Sequence, residues 1–193
     1  MEKVYPEISK LCKEDENVKT ECANITKELQ DGNNEYHKYF EVIRELSGND
    51  IKRIYDYLDI KFDLWNGESD CYKYIQEAYN KINSKNLFQT SEGALIVDVS
   101  EDTDKKEMPP LIFRKSNGAY LYGTTDVAAI LDRENKYHPD HFLYIADQRQ
   151  ALHFEQVFRT VKKSDITKAN LQFLGFGTVN GLDGKPYKTR DGS

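Results

Sequence analysis

Around Leu87 the spacing of apolar residues changes period, and no all-helical or all-strand fold accommodates both sides of the change. From Pro6 to Leu87 apolar side chains recur three and four apart, the mark of amphipathic helices. Beyond it come short runs rich in β-branched and aromatic residues, separated by glycine-bearing turns and alternating with further helical patterns. The chain therefore reads as a helical block joined to an α/β block. No internal repeat or low-complexity tract interrupts either one.

In the helical block, Pro6 suits a first helical turn, and Ile8, Leu11 and Cys12 share a face. Glu14-Asp15-Glu16-Asn17 forms an acidic entry to a second helix, favourable to its dipole. That helix carries Val18, Cys22, Ile25 and Leu29, and Asp31-Gly32-Asn33-Asn34 breaks it. A longer helix is expected from Tyr36 to Leu58. Ser47-Gly48-Asn49 is a place for a kink or an early end, since an interior glycine costs about 1 kcal/mol. Ile60 to Leu64 has the look of a short strand. Asn66-Gly67-Glu68-Ser69 then turns into a last helix with Ile75, Tyr79 and Ile82.

In the second block, Gly93–Val99 and Pro110–Arg114 are expected strands, with a charged and loosely constrained loop from Ser100 to Pro109 between them. Asn117-Gly118 is a hairpin signal leading to a third strand at Tyr120-Leu121-Tyr122. Gly123 makes a turn, and Thr124-Thr125-Asp126 starts a helix whose stripe is Val127, Ile130 and Leu131. The run Phe142 to Ala146 is almost wholly apolar, as in a strand buried on both faces. Asp147-Gln148-Arg149-Gln150 turns into a helix with Phe154, Val157, Phe158 and Val161, and a strand follows at about Leu171–Gly175. Strand–helix–strand units with short turns imply a parallel sheet.

Tyr122 and Asp126 stand four apart at the strand-to-helix turn, where α/β proteins hold ligands. An aromatic plate and a carboxylate there suit a cationic substrate. The blander assignments are a core tyrosine and an ordinary helix-start acid. Near the end, Lys185, Lys188 and Arg190 flank Thr189, which suits either a solvated basic tail or a phosphate clamp.

With 193 residues, 31% charged, and a net charge of −6, the chain has no basic field to draw in nucleic acid over distance. No apolar run approaches the ~18 residues of a membrane span, so no membrane partner is expected. Cys12, Cys22 and Cys71 are odd in number and contain no C-x-x-C, so they are expected to be reduced thiols in a cytoplasmic protein, with no structural metal. His138 and His141 flank Pro139, which breaks helical presentation of a metal pair.

Several short motifs occur in one order: Asn66-Gly67-Glu68-Ser69, Ser91-Glu92-Gly93-Ala94, and Asp126 within Y-x-T-T-D. Asp147-x-Arg149-Gln150 with Ala151-Leu152-His153-Phe154 follows, then Phe176-Gly177-Thr178-Val179, then Asp183 to Arg190. In this order they resemble the catalytic domain of the arginyl-tRNA synthetases, class I aminoacyl-tRNA synthetases, over essentially the whole chain. The resemblance implies the second half of a Rossmann-like catalytic domain at 89–193, preceded by a helical connective region at 1–88. It implies ATP and Mg2+, with L-arginine and tRNA(Arg) as the other partners. Tyr122, Asp126 and Gln150 match the arginine-binding positions. His153, Gly177, Thr178 and Val179 match the ATP side. Lys188, Thr189 and Arg190 match the KMSKS loop, with Arg190 in place of its second lysine and Asp191 where the pattern has Ser or Gly.

The first class I signature, H-x-G-H, does not occur, since the four histidines are His37, His138, His141 and His153. The resemblance therefore implies a partial catalytic domain, also without the anticodon-binding domain. Alone, it is expected to be inactive and to self-associate through surfaces the missing parts would cover. A non-catalytic relative that binds arginine or a partner is the rival expectation.

Overall fold

The computed structural model describes residues 3–32, 34–178, 180–182 and 184. Its contacts fall into two compact units that divide between Asn66 and Gly67. The segment 67–88, helical in the sequence pattern, packs with the second unit rather than the first.

The first unit holds three helices, α1 (Val4–Glu14), α2 (Glu16–Gln30) and α3 (Asn34–Tyr57). Asp15 ends α1 and caps α2, its carboxylate accepting from Asn17 N at 2.8 Å. α1 packs on α2, with Cys12 Sγ and Cys22 Sγ 3.7 Å apart. α3 runs unbroken through Gly48 for 24 residues. It ends in a left-handed residue, Asp59, and Ile60 N reaches back to Tyr55 O at 2.9 Å. The strand expected at Ile60–Leu64 does not form. The chain instead folds Phe62 and Trp65 back onto Tyr55, with ring centroids 5.0 and 5.7 Å away. Edge-on ring contacts with the preceding helix hold this segment without a partner strand, although Phe62 and Trp65 stay about half exposed.

The second unit begins with a 3-10 helix (Glu68–Tyr74), whose start is closed by Gly67 N donating to Asp70 Oδ2 at 2.7 Å. α4 (Ile75–Ser84) buries Ile75, Ala78 and Ile82, one stripe at helical spacing. An antiparallel sheet follows in the order β1 (Phe88–Ser91), β2 (Ala94–Val97), β3 (Leu111–Arg114). β1 was not expected; its neighbour β2 supplies the pairing that Phe88-Gln89-Thr90-Ser91 cannot advertise alone. The Ser91–Ala94 motif is the hairpin between them, with Glu92 at φ 48 and Gly93 at φ 77.

The third strand expected at Tyr120–Tyr122 reduces to a single bridge between Arg114 and Tyr120. Leu121, extended, caps the next helix and accepts from Thr124 N and Thr125 N, so the helix α5 (Tyr122–Tyr137) begins earlier than expected. α5 is the central element, with nine buried residues from Gly123 to Asp132. It ends at His138, left-handed at φ 44, just before Pro139.

β4 (His141–Asp147) and β5 (Asn170–Phe176) pair in parallel, Phe142 opposite Leu171 and Ala146 opposite Gly175. They are joined through a short 3-10 turn (Gln148–Gln150) and α6 (Ala151–Lys163). β4 is not buried on both faces. Phe142 and Tyr144 turn inward, Tyr144 meeting Phe154 and Phe158, while Leu143 and Ile145 are 56% and 70% exposed. Helices cover one face of this pair, and nothing among the described residues covers the other. The core joins Ile82, Val97, Phe113, Val127, Ile130 and Leu131 to Phe154, Val157, Phe158 and Val161. The chain is thus mixed α/β. Among the described residues no helix is long and apolar enough to cross a membrane.

Candidate functional site

The first turn of α5 is held by three consecutive small residues. Gly123 lets the helix lie against β3, since a Cβ there would stand 3.4 Å from Leu111 Cδ1. Thr124, buried, donates its hydroxyl to Phe113 O on β3. Thr125, also buried, shares its hydroxyl hydrogen between Glu68 Oε1 at 2.7 Å and Tyr122 O at 3.0 Å. These contacts fix the helix start against the sheet on one side and the 3-10 helix on the other. Their consequence is directional: Tyr122 and Asp126, four apart, lie on one helix face.

Tyr122 is 61% exposed and available as a plate. Asp126, with a side chain 29% exposed, meets His153 of α6, whose Nε2 lies 2.6 Å from Asp126 Oδ2. The His153 ring also takes the edge of Tyr122, centroid to centroid 4.6 Å at 66°. A carboxylate has no proton to give, so Nε2 carries the hydrogen of this contact. His153 thus joins the pair expected to hold a cation.

The turn before α6 forms a second anchored feature. Asp147 at the end of β4 accepts Arg149 N at 2.8 Å and the Arg149 guanidinium at 2.9 Å on each oxygen. Thr178 Oγ1 adds a bond to Asp147 Oδ2 at 3.1 Å. These donors, the Arg149 guanidinium first, hold the Asp147 carboxyl at about 2. Gln148 crosses Gly175 so closely that a Cβ on that glycine would sit 1.9 Å from Gln148 Oε1. Gln150 is exposed at the cap of α6, and Gly177 is exposed beyond β5.

The structure therefore brings Tyr122, Asp126 and His153 into contact and ties Thr178 to the Asp147 turn. Val179, Lys188, Thr189 and Arg190 lie outside the described residues. Glu68 and Thr125 were not singled out from sequence, although both stand inside quoted motifs, Asn66 to Ser69 and Y-x-T-T-D. The signal available in the sequence is the pair of hydroxyl residues, Thr124-Thr125, at the helix start. Among the described residues no group of three or more His, Cys, Asp or Glu is placed to hold a metal ion.

The profile of the family described as "tRNA synthetases class I (R), catalytic domain" matches residues 1–193, and the chain belongs to that family. Its curated relatives are arginine–tRNA ligases. That of Alkaliphilus oremlandii is 47% identical over 194 residues, covering 100% of this chain and 33% of the relative. The ligase of Agathobacter rectalis is 46% identical over 194 residues, covering 100% of this chain and 32% of the relative. Among solved structures, the arginyl-tRNA synthetase of Plasmodium falciparum superposes with a TM-score of 0.70 at 27% identity, covering 84% of this chain and 28% of that one. The chain spans about a third of the length of the curated relatives it matches.

Proposed function

We propose that this chain forms one wall of the active site of an arginine–tRNA ligase, an enzyme that joins L-arginine to tRNA(Arg) through an arginyl-adenylate. The observation that carries the proposal is the pairing of an exposed Tyr122 with the Asp126 carboxylate on one face of α5, in a chain of this family. A carboxylate can accept two N–H bonds from a guanidinium in one plane, a contact that the point charge of a lysine ammonium does not reproduce. Tyr122 covers the guanidinium face, and exposed Gln150 at the α6 cap adds a polar contact.

ATP enters from the β5 side. Gly177, Thr178 and Val179 serve the nucleotide, with His153 at the boundary between nucleotide and amino acid. Lys188, Thr189 and Arg190 would steady the phosphates, and Mg2+ bound with ATP would add positive charge there. The arginine carboxylate attacks the α-phosphorus, the bond to the β-phosphate oxygen breaks, and pyrophosphate leaves; cations there stabilise the developing charge. The arginyl group then passes to the tRNA. On this reading residues 1–88 connect and 89–193 carry the catalytic half-domain, and the protein works in the cytoplasm.

A single wall does not position both reactants, so the chain by itself is inactive in arginine-dependent ATP–pyrophosphate exchange. The exposed Leu143 and Ile145 face favours self-association of the isolated chain, read as a concentration-dependent mass in sedimentation. The decisive experiment is Asp126→Asn in the full-length protein that contains this chain. The arginine KM rises at least ~tenfold, the loss of about one charge-assisted bond, while the ATP KM changes little. Equal changes in both would refute the assignment.

A further inference from the structure

We propose that His153 is a positioning residue for arginine capture: its imidazole donates Nε2–H to Asp126 Oδ2 and aims the carboxylate at an incoming guanidinium. The inference rests on the reading of Asp126 as the partner of the guanidinium.

Three observations support it. First, His153 Nε2 touches Asp126 at Oδ2, 2.6 Å away, leaving Oδ1 to an incoming group. Second, the imidazole is held in place. Its side chain is 13% exposed, with the Tyr122 ring 4.6 Å away and the Phe154 ring 5.1 Å away. A ring packed between two aromatic neighbours does not swing out readily, so it works as a fixed donor rather than a displaceable plug. Third, the contact ties α6 to α5. His153 lies on the first turn of α6 and Asp126 near the start of α5, so the bond sets the carboxylate's orientation from a second element.

With the Nε2 hydrogen on Oδ2, one carboxylate oxygen is fixed and Oδ1 keeps its lone pairs for a guanidinium. The neighbouring groups are engaged elsewhere. Arg133 of α5 donates to Tyr144 Oη at 2.7 Å. Asp147 and Arg149 at the α6 turn are committed to each other. Phe173, from β5, stacks on Phe154.

The test measures the arginine KM and kcat in the full-length protein that contains this chain. His153→Ala raises the arginine KM by ~tenfold. His153→Gln, whose amide nitrogen can replace Nε2 as an uncharged donor, recovers most of the affinity. Folding of each variant is checked by its melting temperature and its circular dichroism. An arginine KM in His153→Ala that matches the unaltered protein would overturn the inference, as would a His153→Gln variant that recovers nothing. If Asp126→Asn fails to raise the arginine KM selectively, the reading of Asp126 itself is wrong. A selective Asp126→Asn effect with no His153 effect sinks only this inference.

Discussion

Arg159 clamps Asp104 with both terminal nitrogens, Nη1 at 2.8 Å and Nη2 at 2.7 Å, and the same guanidinium donates to Val99 O at 3.0 Å. The fork orders a loop that its charged composition left unconstrained. It also holds the Asp104 carboxyl at about 2, the Arg159 bonds first and the Glu101 N–H second. The folded state therefore binds this proton less readily than the unfolded chain, whose Asp titrates near 3.8. Stability from the clamp is complete above that value and is lost as pH falls toward about 2. Thermal melting between these pH values should show a steep acid loss that is shallower in Asp104→Asn, and protease should cut the variant within residues 100–109. Identical acid profiles would show that the clamp does not operate in solution.

Gly93 stands at φ 77 next to Glu92 at φ 48, the pair of left-handed residues that a tight hairpin turn demands. A Cβ on Gly93 would also meet Ser116 Cβ at 3.2 Å. Gly93→Ala should therefore cost about 1–2 kcal/mol in urea unfolding, from the backbone conformation chiefly. A loss below a few tenths would mean that the turn relaxes to another type.

The hydrogen bond from Thr125 to Glu68 links α5 to the 3-10 helix across 57 positions of sequence. Thr125→Val keeps the shape and removes the donor. It should cost about 1 kcal/mol, and Glu68→Ala should add little once Thr125 is gone. Urea unfolding of the two single variants and the double variant makes the comparison; strictly additive losses would rule out the link.

Cys12 and Cys22 face each other at 3.7 Å across the α1–α2 contact, while Cys71 is buried in the other unit. Oxidised glutathione should convert the first two to a disulfide, releasing two molecules of reduced glutathione, and leave Cys71 free. The Cys22 thiol is pushed up, chiefly by its hydrogen bond with Cys12, so the reaction should quicken as pH rises. Intact mass after oxidation reads the loss of two hydrogens, and Cys22→Ser should prevent it. A Cys71-containing product instead would contradict this geometry.

The parts legible in the sequence are those with strong local signals. α2, α3, α4 and α6 follow from their apolar stripes, β4 and β5 from short apolar runs, and the Asn117-Gly118 turn from its residue pair. β1 was hidden because Phe88-Gln89-Thr90-Ser91 is polar at its centre and becomes a strand through pairing with β2. The strand expected at Tyr120 failed for the opposite reason. Its β-forming residues were overridden when Leu121 capped α5 and two threonine hydroxyls pinned the helix start. Propensity is a weak prior where a cap and a buried hydrogen bond compete with it.

For the site, sequence alone determined the chemistry on one helix face: Tyr122 and Asp126 are four apart, and helical geometry makes them neighbours whatever surrounds them. The ordered motifs determined the family as well. Tertiary structure decided what sequence spacing does not encode. It laid α6 against α5 so that His153, 27 residues on, meets Asp126 Oδ2. It left Leu143 and Ile145 uncovered in a strand whose composition suits burial on both faces. Local periodicity sets which residues share a face, whereas the partner of that face depends on how distant elements pack.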